Sequence, residues 1–290
     1  MRLEHSYAIC TDTGADIPWR TAQVQQLEIA HLHYTMDDAA YIYDLGRETD
    51  LTAFYYAMRN SVQVKTIPVL PEAFCSMWNP VLVSGRDVLY LSLSGAMSSS
   101  FQSAQVAREQ MRLLHPERRI ILVDTCSCSL AQGMLVFEAA QMRAENRTID
   151  DVAGWVVENR KYTHGLLFPE ERDGLRAAGL YSGNAINELL GRQTLFSLGA
   201  NGGLNQAGHF KTRQEALRGV LDYVRSVGYA LENQVVGVVH ADVPEKAEKL
   251  CWLLKKHAGC TQTMIMPMGP IIGAYARPGA LGVAFFGSRR

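Results

Sequence analysis

Residues 89–104 read LYLSLSGAMSSSFQSA: a short apolar run, then six serines, with no lysine, histidine or carboxylate among them. Hydroxyls packed this densely behind a buried strand can hold an anion, cap a helix or supply a nucleophile. A phosphate loop would carry GxxxxGK[ST] and a dinucleotide site GxGxxG after a strand; neither pattern occurs in the chain. A hydrolase elbow fares no better. Around Ser94 the order is S-L-S-G-A, with Ser92 where the elbow needs glycine and Gly95 one place early. A serine nucleophile would also need a base, and His164, His209 and His240 have no visible link to the loop. Ser99 and Gln102 match the S-x-x-Q capping box, which predicts a helix from Ser99 whose first amides face the end of the preceding strand. Ser94 stands where a βα loop leaves the carboxyl end of a strand, the usual ligand edge of an α/β sheet. Neutral donors on Ser94, Gly95 and Ser98 suit a singly charged carboxylate, while one or two of the serines only shape turns and caps.

The elements that must position this loop follow from periodicity. YAIC (7–10), LEIAHLHY (27–34), VLYLSL (88–93) and IILVD (120–124) read as strands, and helical patterns follow around 19–26, 52–60, from Ser99 and over 129–144. Short apolar strands each followed by a helix predict an α/β lobe, a mostly parallel sheet covered on both faces, over residues 1–160. The helical stretch DDVAGWVVENRKY (150–162) leads into a second α/β lobe, residues 161–290. There TLFSLGANGGLNQAGHFKT (194–212) has the form of a hairpin around Asn201-Gly202-Gly203, followed by a helix over about 213–226 and the strand VVGVVH (235–240). Asp242 and Glu245, with Pro244 between, predict a capped helix running toward His257. The end, PIIGAYARPGALGVAFFG, reads as strand, Arg-Pro-Gly turn, strand. Two lobes imply a cleft between them, where ligands preferentially bind.

Composition sets the outer limits. The chain has 290 residues, 48% apolar and 20% charged, with a formal net charge of −1, so nothing in it suggests nucleic acid. Cys126 and Cys128 form a lone C-x-C among six cysteines, without the further spacing a zinc site needs, so no metal and no cofactor are expected. The opening MRLEHSYAIC lacks the apolar core of a signal peptide and no apolar run reaches spanning length, so the expected location is the cytoplasm.

Five motifs in register give these residues a family likeness. TDTGAD (11–16) is similar to T-D-S-x-x-D, KTIPVLPEAF (65–74) to T-S-Q-P-S-P-E-E-F, and LSLSGAMSSSFQSA (91–104) to a block ending L-S-G-T-Y-Q-S-A. VDTCSCSLAQG (123–133) and IIGAYARPGALG (271–282) resemble V-D-S…S-x-G-x-G and I-G-x-H-T-G-P-G-A-L-G. Over nearly its full length the chain resembles the DegV family of bacterial fatty-acid-binding proteins, carrier subunits of fatty acid kinase. The resemblance implies a non-catalytic lipid carrier. One fatty acid would lie in a tunnel near the lobe boundary, its carboxylate held by Thr66, the hydroxyl of Ser94, the amide of Gly95 and residue 275, and presented to a separate kinase. Lipid exchange would bring the carrier into transient contact with a membrane. A serine-dependent hydrolase or transferase using Ser94, or a carrier of another amphiphile without a kinase, are the alternatives.

Departures from the pattern fall on the head-group end. Tyr275 stands where the family has histidine, and Ala276-Arg277 where it has Thr-Gly; Leu180 replaces an arginine, and Gln193-Thr194 a Lys-Pro pair. A phenol donates to a carboxylate but carries no positive charge. Two readings stand for Arg277: a replacement cation binding the carboxylate in bidentate fashion, or a solvent-facing turn residue. Lys211 and Arg213 correspond to a basic element of the family; they would meet a kinase surface, or form only a solvated face.

Overall fold

The structure, a computed structural model, describes residues 5–181 and 191–290. Four strands with almost no exposed residue, β1 (Tyr7–Asp12), β2 (Leu27–Ala30), β6 (Asp87–Ser92) and β7 (Ile120–Asp124), form an all-parallel sheet in the order β2-β1-β6-β7. Their near-continuous apolar character is that of strands buried on both faces. Helices α3 (Pro71–Val83) and α4 (Ser100–Leu114) pack together against this sheet, and α5 (Ser129–Ala144) packs with α6 (Ile149–Asn159). Thr148 and Asp151 close a capping box at the start of α6.

Helix α5 is the hinge of the architecture. Residues Leu130–Val136 are buried on every side, as expected for a helix with no solvent face. It touches β1 and β6 of the first sheet and also β8 (Thr163–Phe168), β11 (Val235–His240) and β13 (Leu281–Phe286) of the second. That second sheet is mixed, in the order β10-β9-β8-β13-β11-β12, with β9 (Gln193–Leu198) and β10 (Leu204–Phe210) forming the foreseen hairpin and β12 (Gln262–Pro267) at the far edge. One hydrophobic core therefore runs from the first sheet through α5 to Leu198, Val239 and Ala284, and another lies under the helices Arg213–Val227 and Pro244–His257.

Four local expectations are corrected. The stretch 27–34 is not one strand: β2 ends at Ala30, the Leu32 amide donates to Thr13 Oγ1 (3.0 Å), and β3 (His33–Met36) joins β4 (Ala39–Ile42) and β5 (Val64–Ile67) in a small antiparallel sheet. Pro270–Ala276 is a helix, with Pro270 in its first turn. A short buried apolar run fits strand and helix equally, and packing against Tyr55, whose hydroxyl bonds the Met268 carbonyl (2.8 Å), decides it. The Ser99–Gln102 box does not form; the Ser100 amide donates to Ser98 Oγ instead (3.2 Å). Asp242 is likewise no cap: it pairs with Arg59, Val243 takes the N-cap position, and its amide donates to His240 Nδ1 (3.2 Å). Among the described residues no helix is long and apolar enough to cross a membrane.

Candidate functional site

A cavity of about 240 Å³ opens where α5, the face of the second sheet and the loops of the first sheet meet. Leu93, Met97, Ser98 and Ser99 border it from the loop after β6, and Cys128, Ser129, Leu130 and Ala131 from the start of α5. The second sheet contributes Leu166, Leu198, Val239 and Val283 among others, and the helix Pro270–Ala276 contributes Ile271, Ile272 and Tyr275. Thr66, at the end of β5, completes the polar part of the wall. The described wall is aliphatic apart from five hydroxyls, on Thr66, Ser98, Ser99, Ser129 and Tyr275, and the Cys128 thiol, and no charged residue belongs to it.

Two of the expected head-group residues meet. Thr66 pairs with Tyr34 across the small sheet, and Tyr275 projects from a helix distant in sequence, yet Thr66 Oγ1 and the Tyr275 hydroxyl share a short hydrogen bond. A second tie fixes the adjoining loop: the Val69 amide donates to Ser100 Oγ (3.1 Å), which bonds Ser98 Oγ (3.0 Å). These bonds align the exit of β5 with the start of α4.

Ser94 and Gly95 lie one layer behind the wall. Ser94 is fully buried; its amide donates to the Ser127 carbonyl (2.9 Å) and its hydroxyl to the Gly202 carbonyl (2.9 Å) at the hairpin tip. The Gly95 amide donates to Asp124 Oδ2 (3.1 Å). Gly202 has φ +81°, and a Cβ there would stand 2.3 Å from Ser94 Oγ, so only glycine allows the tip this approach. None of the three histidines reaches Ser94: His164 bonds Tyr223 and the Ser288 carbonyl, His209 bonds Thr194, and His240 accepts from Val243.

The two aspartates of TDTGAD hold these layers. Asp12 is fully buried and accepts from Gly14 N (3.0 Å), Gln132 Nε2 (3.2 Å), the Tyr90 hydroxyl (2.7 Å) and Leu93 N (2.7 Å). Burial pushes its carboxyl up despite those donors. Asp16 accepts only from Ser129 Oγ (2.5 Å) and Gly269 N (2.8 Å), joining the start of α5 to the turn before the Tyr275 helix. With fewer donors, burial pushes it to about 7. The same burial raises the Cys128 thiol to about 12. Ser98, expected among the neutral donors, is on the wall, whereas Ser99 and Ser129 on the wall, and Asp16 behind it, were given no ligand-binding role by motif alone. The available signal was the second aspartate of TDTGAD, at a turn after a buried strand.

The remaining candidates stand elsewhere. Arg277 lies off the cavity wall, its Nε 3.9 Å from Glu171. Its backbone sits at φ +67°, ψ 160°, a region essentially reserved for glycine. Leu180 forms part of the wall, and Thr194 accepts from Arg172 (3.1 Å). Arg213 stacks over Phe168 (4.8 Å), donates to the Gly279 carbonyl (3.2 Å) and lies 3.7 Å from Glu170, whereas Lys211 is exposed. Among the described residues no His, Cys, Asp or Glu group could hold a metal ion.

Comparison with known proteins adds to this geometry. The family model described as uncharacterised protein, DegV family, matches residues 6–288. A DegV domain-containing protein of Clostridium perfringens is 28% identical over 288 residues, 98% of each chain. The structure of a DegV family protein from Thermus thermophilus, described by its fatty acid binding, superposes with a TM-score of 0.86 at 20% identity, covering 97% of this chain and 99% of that one. The Streptococcus pneumoniae fatty acid kinase (Fak) B3 protein, loaded with linoleic acid, gives 0.83 at 16% identity over 97% and 99%.

Proposed function

The chain belongs to the DegV family, and on that premise we propose that it is a non-catalytic carrier of one long-chain fatty acid. The observation that carries this reading is the cavity itself, an aliphatic chamber whose polar groups come from Thr66, Tyr275, Ser98 and Ser99 before α4, and Cys128 and Ser129 at the start of α5. Burying about fifteen methylenes at roughly 0.8 kcal/mol each offers on the order of 12 kcal/mol before association costs. A hydrogen bond at the head contributes only about 0.5–1.5 kcal/mol. The tail therefore sets affinity, and the hydroxyls set orientation. In this arrangement Thr66, Tyr275, Ser98 and Ser99 receive the head group. Ser94 and Gly95 build the loop that presents them, and the bonds they make to Gly202 and Asp124 support a carrier over a serine nucleophile.

The finer part of the proposal is presentation to a separate fatty acid kinase, as the likeness to a fatty acid kinase B3 protein suggests. The exposed Lys211 would contribute to that docking, and Arg213, held by Glu170 and Phe168, would shape the surface around it. Denaturing extraction followed by mass spectrometry tests the carrier reading. One fatty acid per chain is expected; a protein that is empty and also fails to take up added palmitate overturns it. Kinase docking that is salt-dependent and weakened by Lys211→Glu is expected; docking undiminished in that variant removes the residue from the surface.

A further inference from the structure

We propose, resting on the carrier reading above, that this site takes its lipid head group in uncharged form: a fatty acid as R–COOH, with a long-chain alcohol as a competent substitute. The described wall offers only hydroxyls and a thiol around the head, and a carboxylate left there would be buried without a cation. Residues 182–190, SGNAINELL, lie outside the described residues and contain no lysine, arginine or histidine.

The hydrogen bonds already made point the same way. Ser129 gives its proton to Asp16, so toward the cavity its oxygen can only accept. Thr66 and Tyr275 spend one of their two protons on each other, which leaves a mixed donor and acceptor pair. A carboxylate accepts only; a carboxylic acid or an alcohol both donates and accepts, and so matches this set.

The surrounding charges agree. Behind Ser129 stands Asp16, an anion whenever it is ionised. Cys128 stays a thiol, its pKa raised by burial to about 12 against the pull of Arg290, a guanidinium off the wall that donates to the Cys126 carbonyl (2.9 Å) and Ser127 Oγ (3.1 Å). At the C-cap of the Tyr275 helix Arg277 lies off the wall, 3.9 Å from Glu171, with its buried Nε making no hydrogen bond. The amino end of α4 favours an anion, but its Ser100 amide is bonded to Ser98 Oγ. Leu180 sits on the wall where the family pattern carries arginine, so the change in charge and the aliphatic lining occur at one position.

The test is the ionisation state of bound [1-¹³C]palmitate, read from its carboxyl shift as pH is raised from 5 to 9, with hexadecanol competition at pH 7. The expected result is an un-ionised shift at pH 7 and hexadecanol affinity within tenfold of palmitate. An ionised shift at pH 7, with palmitate outcompeting hexadecanol by more than a hundredfold, overturns the proposal. Binding of neither lipid overturns the carrier reading itself and is distinct from either result. Leu180→Arg supplies a second readout: it is expected to convert the bound acid to the ionised shift at pH 7 and to disfavour hexadecanol at least tenfold. An un-ionised shift retained in Leu180→Arg that binds palmitate normally overturns the role given to the missing cation. If that variant does not fold, Leu180→Lys or Tyr275→His at pH 5 carries the same comparison.

Discussion

The loop after β6 and the cavity wall beside it are built from the same residue types and spend them differently. On the loop side Asp12 accepts four hydrogen bonds, one from Leu93, and the next residue, Ser94, gives its proton to the hairpin tip at Gly202. Most polar groups there have an internal partner, Ser92 Oγ and Gln132 Oε1 excepted, so the loop is clamped to the hairpin. On the cavity side Asp16 accepts two, and the hydroxyls beyond it bond one another or face the chamber. The contrast is one of direction: the loop spends its hydroxyl and amide protons on other parts of the chain, while the wall keeps hydroxyls facing the chamber, where a ligand completes the set.

The largest effect is expected where the clamp is tightest. Gly202→Ala places a Cβ against Ser94 Oγ and the Cys126 backbone at a positive φ. It should cost about 3 kcal/mol in urea unfolding, from overpacking plus backbone strain. A loss under about 0.5 kcal/mol would show that the hairpin tip is not held there.

Asp16 tests the looser side through pH. Its folded pKa, about 7, lies above its unfolded value. The native state then binds more protons, so this group lowers stability as pH rises between roughly 4 and 7, by at most about 1.4 kcal/mol per unit. Asp12 contributes in the same direction. Asp16→Asn should flatten the slope between pH 5 and 7; an unchanged slope would assign it to Asp12 or other groups.

Arg277→Gly relieves a residue held in a glycine conformation and is expected to stabilise by about 1 kcal/mol. Palmitate affinity should stay within twofold, and a drop beyond tenfold would put the guanidinium on the head group after all. The smallest effect belongs to Tyr275→Phe. It removes one head-group hydroxyl and the bond to Thr66, so palmitate affinity should fall a few-fold, about 1 kcal/mol, with stability nearly unchanged. No change in affinity would take Tyr275 out of the site and leave the wall's polarity to the serines.

Much of the fold was legible because local pattern and tertiary role agreed. The buried strands 7–10, 88–93 and 120–124, the helix 129–144 and the Asn-Gly-Gly hairpin are each dictated by residues within a few positions of one another. Reading failed where local signals were degenerate. PIIGAYA fits two periods, and HLHY continues an apolar run that the chain breaks at Leu32 to enter another sheet. Capping boxes at Ser99 and Asp242 satisfied their pattern but lost to Ser98 and to Arg59.

The sequence by itself determined which residue types gather at the carboxyl edge of the first sheet, and that among the motif positions only Lys65 and Arg277 bring a cation. Only the tertiary structure decided which hydroxyls face the chamber. Ser94 is turned inward by a carbonyl 108 residues away, at Gly202, and Thr66 is joined to Tyr275 across 209 residues. A hydroxyl rotates toward whichever partner the fold brings within about 3 Å, so its type is a property of the chain and its direction a property of the packing.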